Sequence, residues 1–189
     1  MPQVSVRNRL VEHAEDVFRR KGFGGASIQD ITQAANVPKG SFYNHFDSKQ
    51  DLAVEIILRH ARTIDLSTLE ADGSALERLH EHLIARLEHI RASGIEFGCL
   101  LGNFASESIT AGERVRAAVH DVLVSWAGSV SVTIAEGQTA GEITTDRPAS
   151  ALAAFLLDWL EGATLRAKIA DDHGFLTDEV GIALRALRA

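Results

Sequence analysis

The chain has 189 residues, 46% of them hydrophobic and 24% charged, which is ordinary for a globular protein with one sizeable domain or a small domain attached to a larger one. It has no run of roughly 18 consecutive apolar residues, so no membrane span or membrane partner is expected. Cys99 is its one cysteine, which rules out an intrachain disulfide and makes the cytoplasm the expected location. The first residues, Met1 to Arg7, show no basic stretch followed by an apolar core, so no secretory signal is visible. The net charge is −7, which argues at first against a nucleic-acid partner. Residues 1–60, however, carry +1 and the remainder −8, so any such site belongs near the N-terminus on a local basic surface.

Helical periodicity dominates, and no alternating strand pattern of any length is found. The first helix is expected from about Val6 to Lys21, with Leu10, Ala14, Val17 and Phe18 on one face and Gly22 as its stop. Ser27 and Asp30 resemble a capping box for a second helix, which ends at Asn36, a residue tolerant of left-handed backbone. Pro38 suits the first turn of a short third helix to about Asn44, with Phe42 and Phe46 pointing inward. Ser48 and Asp51 open a fourth helix to about Thr68, and a fifth covers about Ala75 to Ala92 before Gly94. A shorter helix is expected from Cys99 to about Glu107. Thr110 and Glu113 fit a cap for a long helix reaching about Gln138. Asp146 caps the next, with Pro148 in its first turn, running to about Asp171, and the last spans about Phe175 to Arg188.

The stretch from Gly22 to Leu52 carries the function. Two short helices joined by a tight turn, with a third packed before them, make the helix-turn-helix plan. Its second helix keeps an outward row of Lys39, Gly40, Ser41, Tyr43 and Asn44, side chains suited to phosphates and base edges in a major groove. Tyr43 and His45 are also open to a packing or capping role in a small three-helix core. For Tyr43 the phosphate reading is preferred, because Phe42 and Phe46 already serve the core.

Ala35-Asn36-Val37, Gly40, Tyr43, His45-Phe46, Ser48-Lys49 and Leu52 resemble the N-terminal pattern of the TetR (TetR/AcrR) family of transcriptional regulators. Asn36 stands where members of that family usually have Gly, and Pro38 where a small polar residue is common. The resemblance implies an all-α fold of about nine helices. It would comprise a DNA-binding domain over residues 1–48 and an effector-binding and dimerisation domain over 49–189, with the fourth helix as connector. It also implies a dimeric repressor, bound to palindromic double-stranded operator DNA and released by a small-molecule effector. By the same resemblance Lys39 and Asn44 are expected to read base edges, with Gln29 as an additional contact. Ser27, Ser41, Tyr43, Lys49 and the backbone near Gly40 are expected at phosphates. His45 either braces the third helix or touches a phosphate.

The C-terminal part reads as antiparallel helices. The stripe of Leu152, Phe155, Leu156, Trp159, Leu160 and Ala163 is wide enough for both a core and a partner subunit. The last two helices are expected to pair across a two-fold axis, the alternative being burial within one chain. Gly98-Cys99-Leu100-Leu101-Gly102-Asn103 is similar to a segment in TetR-type sensors of reactive electrophiles and small unsaturated acids. Cys99 is therefore expected either to line or sense the effector, or to be an inert buried residue. Phe97, Asn103, Phe104, Glu107, Trp126 and Trp159 are the other expected effector contacts. His80, His82, His89 and His120 form no metal-ligand cluster by spacing, so neither metal nor cofactor is expected. The competing readings are an activator, a regulator without small effector, and, further off, a cysteine-dependent enzyme, for which no local motif or catalytic residue is found.

Overall fold

Ser5 starts the first helix by accepting the N–H of Asn8 at 3.2 Å, in a computed structural model that describes residues 5–170 and 173–189. Helix α1 (Val6–Gly25) buries Leu10, Val11, Ala14, Val17, Phe18 and Phe23, and kinks at Gly22, where φ is +70°. Helix α2 (Ile28–Ala34) opens on a complete capping box. The Asp30 N–H donates to Ser27 Oγ at 3.1 Å, and the Ser27 N–H to Asp30 Oδ2 at 2.9 Å. Asn36 takes φ +50°, the left-handed geometry expected of it.

The expected short third helix is a 3-10 helix, Lys39–Asn44. Ser41 N–H bonds Pro38 O at 2.9 Å and His45 N–H bonds Phe42 O at 3.0 Å, the tighter pattern that suits a piece this short. Helix α3 (Lys49–Ala61) is capped by Ser48 but stops well before Thr68. The Thr63 hydroxyl takes the His60 carbonyl at 2.8 Å, and the Asp65 carboxylate then accepts both the Ser67 N–H and its hydroxyl, an Asx turn that competes with further helix.

Helix α4 (Ala75–Ala92) begins at a Ser74–Glu77 capping box and ends before Gly94. The expected single short helix is broken in two, α5 (Leu100–Ser106) and α6 (Ser108–Ala111), with Glu107 between them. Thr110 therefore lies inside α6, its hydroxyl on the Glu107 carbonyl, and is not the cap of α7 (Glu113–Thr139). Helix α8 (Ala149–Ala167) starts after Pro148, later than an Asp146 cap would place it. Its expected end near Asp171 falls outside the described residues. Helix α9 (Phe175–Arg185) is the last.

Among the described residues the fold is all-α, with nine α-helices, three 3-10 helices and one isolated bridge, Ile143 to Arg188. These elements form two compact units. The first holds α1 to α3 together with residues 100–122, and the second holds residues 64–99 and 123–189. Helix α7 is long and apolar enough to cross a membrane by length and composition alone. One of its sides, Val115, Val119, Val122, Trp126, Val130 and Ile134, is buried protein core. Glu113, Arg114, Arg116, Asp121 and Glu136 are exposed on the same helix, the pattern of an amphipathic core helix.

Candidate nucleic-acid interface and effector site

Phe42 is fully buried and Phe46 nearly so, which fixes the 3-10 helix to its unit and turns its remaining side chains outward. Lys39, Gly40, Tyr43, Asn44 and His45 are exposed, as are Ser27 and Gln29 on the neighbouring helix, while Ser41 is half-buried. Tyr43 is 57% exposed and meets Phe42 in a T-shaped contact, 5.4 Å between centroids, so it is not a core residue. A Cβ built on Gly40 meets nothing within 4 Å, so the protein's own packing does not demand glycine there. Ser27 serves its helix first, giving its hydroxyl hydrogen to Asp30 at 2.7 Å. A salt bridge to Lys21, with the Ser27 bonds, holds the Asp30 carboxyl well below the usual carboxylate range. Arg7 lies 5.2 Å from the Phe46 ring centroid and pairs with Glu55, so it braces α1 against α3.

Lys49 is placed differently from the expectation. Its ammonium donates to the carbonyls of Phe23 at 2.6 Å and Ala26 at 2.7 Å, with the Phe23 ring centroid 4.2 Å away. Burial pushes its pKa down, partly offset by the charge of Glu107. The charge expected at a phosphate is thus committed to the α1–α2 connection.

The seven residues expected around an effector are divided between the two units. Asn103, Phe104 and Glu107 belong to the unit that carries the helix-turn-helix. Phe104 packs against Phe18 and Phe23, at 5.5 and 6.4 Å between centroids, and Glu107 bonds backbone N–H groups of the same loop. Phe97 is half-buried in a 3-10 turn, and Trp159 is half-buried on α8. Phe104 and Glu107 thus serve the packing of the first unit, into which α5 carries the chain just after Cys99.

Cys99 and Trp126 do belong to one buried polar string in the second unit. Arg86, 3% exposed, sets a guanidinium nitrogen 3.9 Å from the Cys99 sulfur and its guanidinium carbon 5.6 Å from the Trp126 ring centroid. The Trp126 indole N–H donates to His82 Nε2 at 2.8 Å, and His82 Nδ1 lies 3.0 Å from the Asp65 carbonyl. At the other end Cys99 shares a hydrogen bond with Glu161, whose carboxyl burial pushes above its ordinary range against the opposing pull of Cys99, Arg86 and Lys168. Burial holds the His82 pKa below the ordinary histidine value. Sequence reasoning missed Arg86, Glu161 and the part played by His82. A signal for two of them exists: His82 and Arg86 sit on the same inward stripe of α4 as Leu79, Leu83, Leu87 and Ile90.

Residues 10–56 match the family described as bacterial regulatory proteins, tetR family, and residues 73–178 match the tetracyclin repressor-like C-terminal domain. The chain is 35% identical to the HTH-type transcriptional repressor DhaR of Mycobacterium sp. (strain GP1), over 99% of this chain and 94% of that protein. It is 33% identical to the transcriptional regulator AcuR of Cereibacter sphaeroides, over 89% of this chain and 79% of that one. A crystal structure of a regulatory protein TetR from Rhodobacter sphaeroides superposes with a TM-score of 0.79 at 32% identity, covering 96% of each chain. The reduced form of E. coli NemR superposes with a TM-score of 0.84 at 24% identity over 97% of each chain, which bears on the fold alone. A capped helix-turn-helix with an outward polar row, a helical second unit and these matches agree: the chain belongs to the TetR family of bacterial transcriptional regulators.

Proposed function

We propose that this regulator is a repressor that binds a palindromic operator as a homodimer and lets go when a small molecule occupies or modifies the second unit near Cys99. One observation carries the DNA half of this reading. Lys39, Gly40, Tyr43, Asn44 and His45 stand exposed on a segment whose phenylalanines are buried, so the row is free for a groove. The dimer half follows from symmetry, since a palindrome needs two such rows about 34 Å apart. Exposed Phe155 and Leu165 on α8, Ile169 beyond it, and Ile182 on α9 give the last two helices an apolar face for a partner copy. The effector half rests on the buried string from Glu161 through Cys99 and Arg86 to Trp126, in which polar groups converge inside the helical unit. A catalytic role fits Cys99 poorly, because the residue is 3% exposed and its sulfur already faces Arg86 and Glu161.

The test is selection of duplexes from a random pool, followed by titration of the recovered site with variants. Gly40→Ala leaves thermal stability unchanged or slightly raised, because its Cβ meets no protein atom, yet weakens binding by blocking close approach of a phosphate. Asn44→Ala relaxes preference at one base position, at a cost of about 1–3 kcal/mol. Recovery of no enriched sequence by the wild-type dimer would reject the operator reading.

A further inference from the structure

Two irregularities in the first unit meet each other. One is the kink at Gly22, where φ is +70°. The other is the break between α5 and α6 at Glu107, whose φ is −103° and ψ 11°. The Glu107 carboxylate accepts the N–H of Phe23 at 2.9 Å on one oxygen and that of Gly24 at 2.7 Å on the other. These N–H groups directly follow the kink, and the one carboxylate accepts from both. A Cβ at Gly22 would lie 2.3 Å from Glu107 Oε1, so a side chain there would displace the carboxylate, and the φ of +70° itself calls for glycine. From the other side Lys49 holds the carbonyls of Phe23 and Ala26. The loop 22–26 is therefore gripped by an anion on its N–H groups and a cation on its carbonyls. Ser27, the cap of α2, follows immediately.

We propose that Glu107 is a positioning residue for operator binding: it latches the 22–26 loop and so sets where α2 and the recognition segment stand. The proposal rests on the operator reading above, but the latch itself is measurable without DNA. A carboxylate on this unit would, by charge alone, repel DNA, so its removal should tighten binding if it had no positioning role. The latch requires the reverse. Glutamine at this position keeps one acceptor but turns an amide N–H toward the second backbone N–H, so one of the two bonds is lost.

The experiment uses the full-length protein in three forms, wild type, Glu107→Gln and Gly22→Ala. Peptide-resolved hydrogen exchange reports the loop, and titration with a duplex recovered by the wild type reports binding over a salt series. Exchange of segment 22–26 is expected to accelerate about tenfold in both variants while α4 and α9 are unchanged. Operator affinity is expected to fall about fivefold to tenfold in both, with the slope of log K against log salt unaltered, because no phosphate contact has been removed. Unchanged loop exchange in Glu107→Gln overturns the latch. Faster exchange with equal or tighter DNA binding overturns the positioning role, as does a change of slope by about one phosphate contact. If the wild type recovers no duplex, the operator reading fails on its own, and the exchange arm still decides whether Glu107 holds the loop.

Discussion

The indole N–H of Trp126 points at Nε2 of His82, 2.8 Å away, and both residues are 2% exposed. Because Nε2 accepts, the imidazole proton sits on Nδ1, which donates to the Asp65 carbonyl at 3.0 Å. The bond ties α7 to α4 and to the turn that ends the connector region. Trp126→Phe keeps the aromatic packing but leaves a buried acceptor unpaired, at a cost of about 1–3 kcal/mol. In a chain of this size each kcal/mol lowers Tm by about 2–4 °C. A Trp126→Phe, His82→Leu pair should lose less than the sum of the two single variants, since the Trp126–His82 bond is then counted once, although the Asp65 carbonyl loses its donor as in His82→Leu alone. Thermal melts of the two single variants and the double variant read this directly, and additive losses would contradict it.

Stability should depend on pH through two buried groups with opposite signs. The His82 pKa is held below 6.5, so its neutral form belongs to the fold. Its contribution is present above about 6.5, the ordinary value of the unfolded chain, and is lost as pH falls through the lower folded value. Glu161 is pushed above 4.5, so its protonated form is the one the fold favours. Its contribution is present below about 4.5 and is lost as pH rises through the higher folded value. Glu161→Gln keeps the neutral form at every pH. Its Tm relative to wild type should therefore climb as pH rises from about 4.5, then level off. A difference that is flat from pH 4 to 8 would show that the carboxyl is not raised.

Lys49 is half-buried and its ammonium is already bound to the carbonyls of Phe23 and Ala26 in the 22–26 segment. Lys49→Met retains the stem and its contact with the Phe23 ring while deleting those bonds. Operator affinity should fall because the loop loosens, with the salt slope unchanged. A slope flatter by about 0.9 would instead restore Lys49 as a phosphate contact. Measurement over 50–200 mM salt separates the two.

The helix-turn-helix was legible because its determinants are local. Ser27 and Asp30 make their box three residues apart, Asn36 adopts the turn geometry its side chain tolerates, and Phe42 and Phe46 anchor the segment between. Its 3-10 character was not, since apolar spacing does not distinguish one short helical turn from another. The role of Glu107 was hidden by distance along the chain: the carboxylate reaches groups 83 and 84 residues away. The same holds for Cys99, which meets Arg86 from α4 and Glu161 from α8 only after folding. Lys49 could be placed near the recognition segment from its motif, but the direction of a flexible side chain is decided by which acceptors the packed loop offers.

The apolar face of the last two helices makes the dimer testable without DNA. Leu165 is 65% exposed on α8 and Ile182 is 56% exposed on α9, although both helices bury their other side well. A two-fold interface places each residue of the patch near the axis opposite its own copy, so a charge introduced there is repeated and faces itself or loses its water. Leu165→Glu and Ile182→Glu leave the monomer core untouched, because neither side chain is buried in it. Sedimentation should show wild type as a dimer at micromolar concentration and each variant shifted toward monomer, with unchanged helical content. Operator affinity should fall more steeply than dimer stability, since one recognition segment alone forfeits the contacts of the second half-site. If both variants remain dimeric, another face joins the subunits and the α8 and α9 surface must serve some different contact.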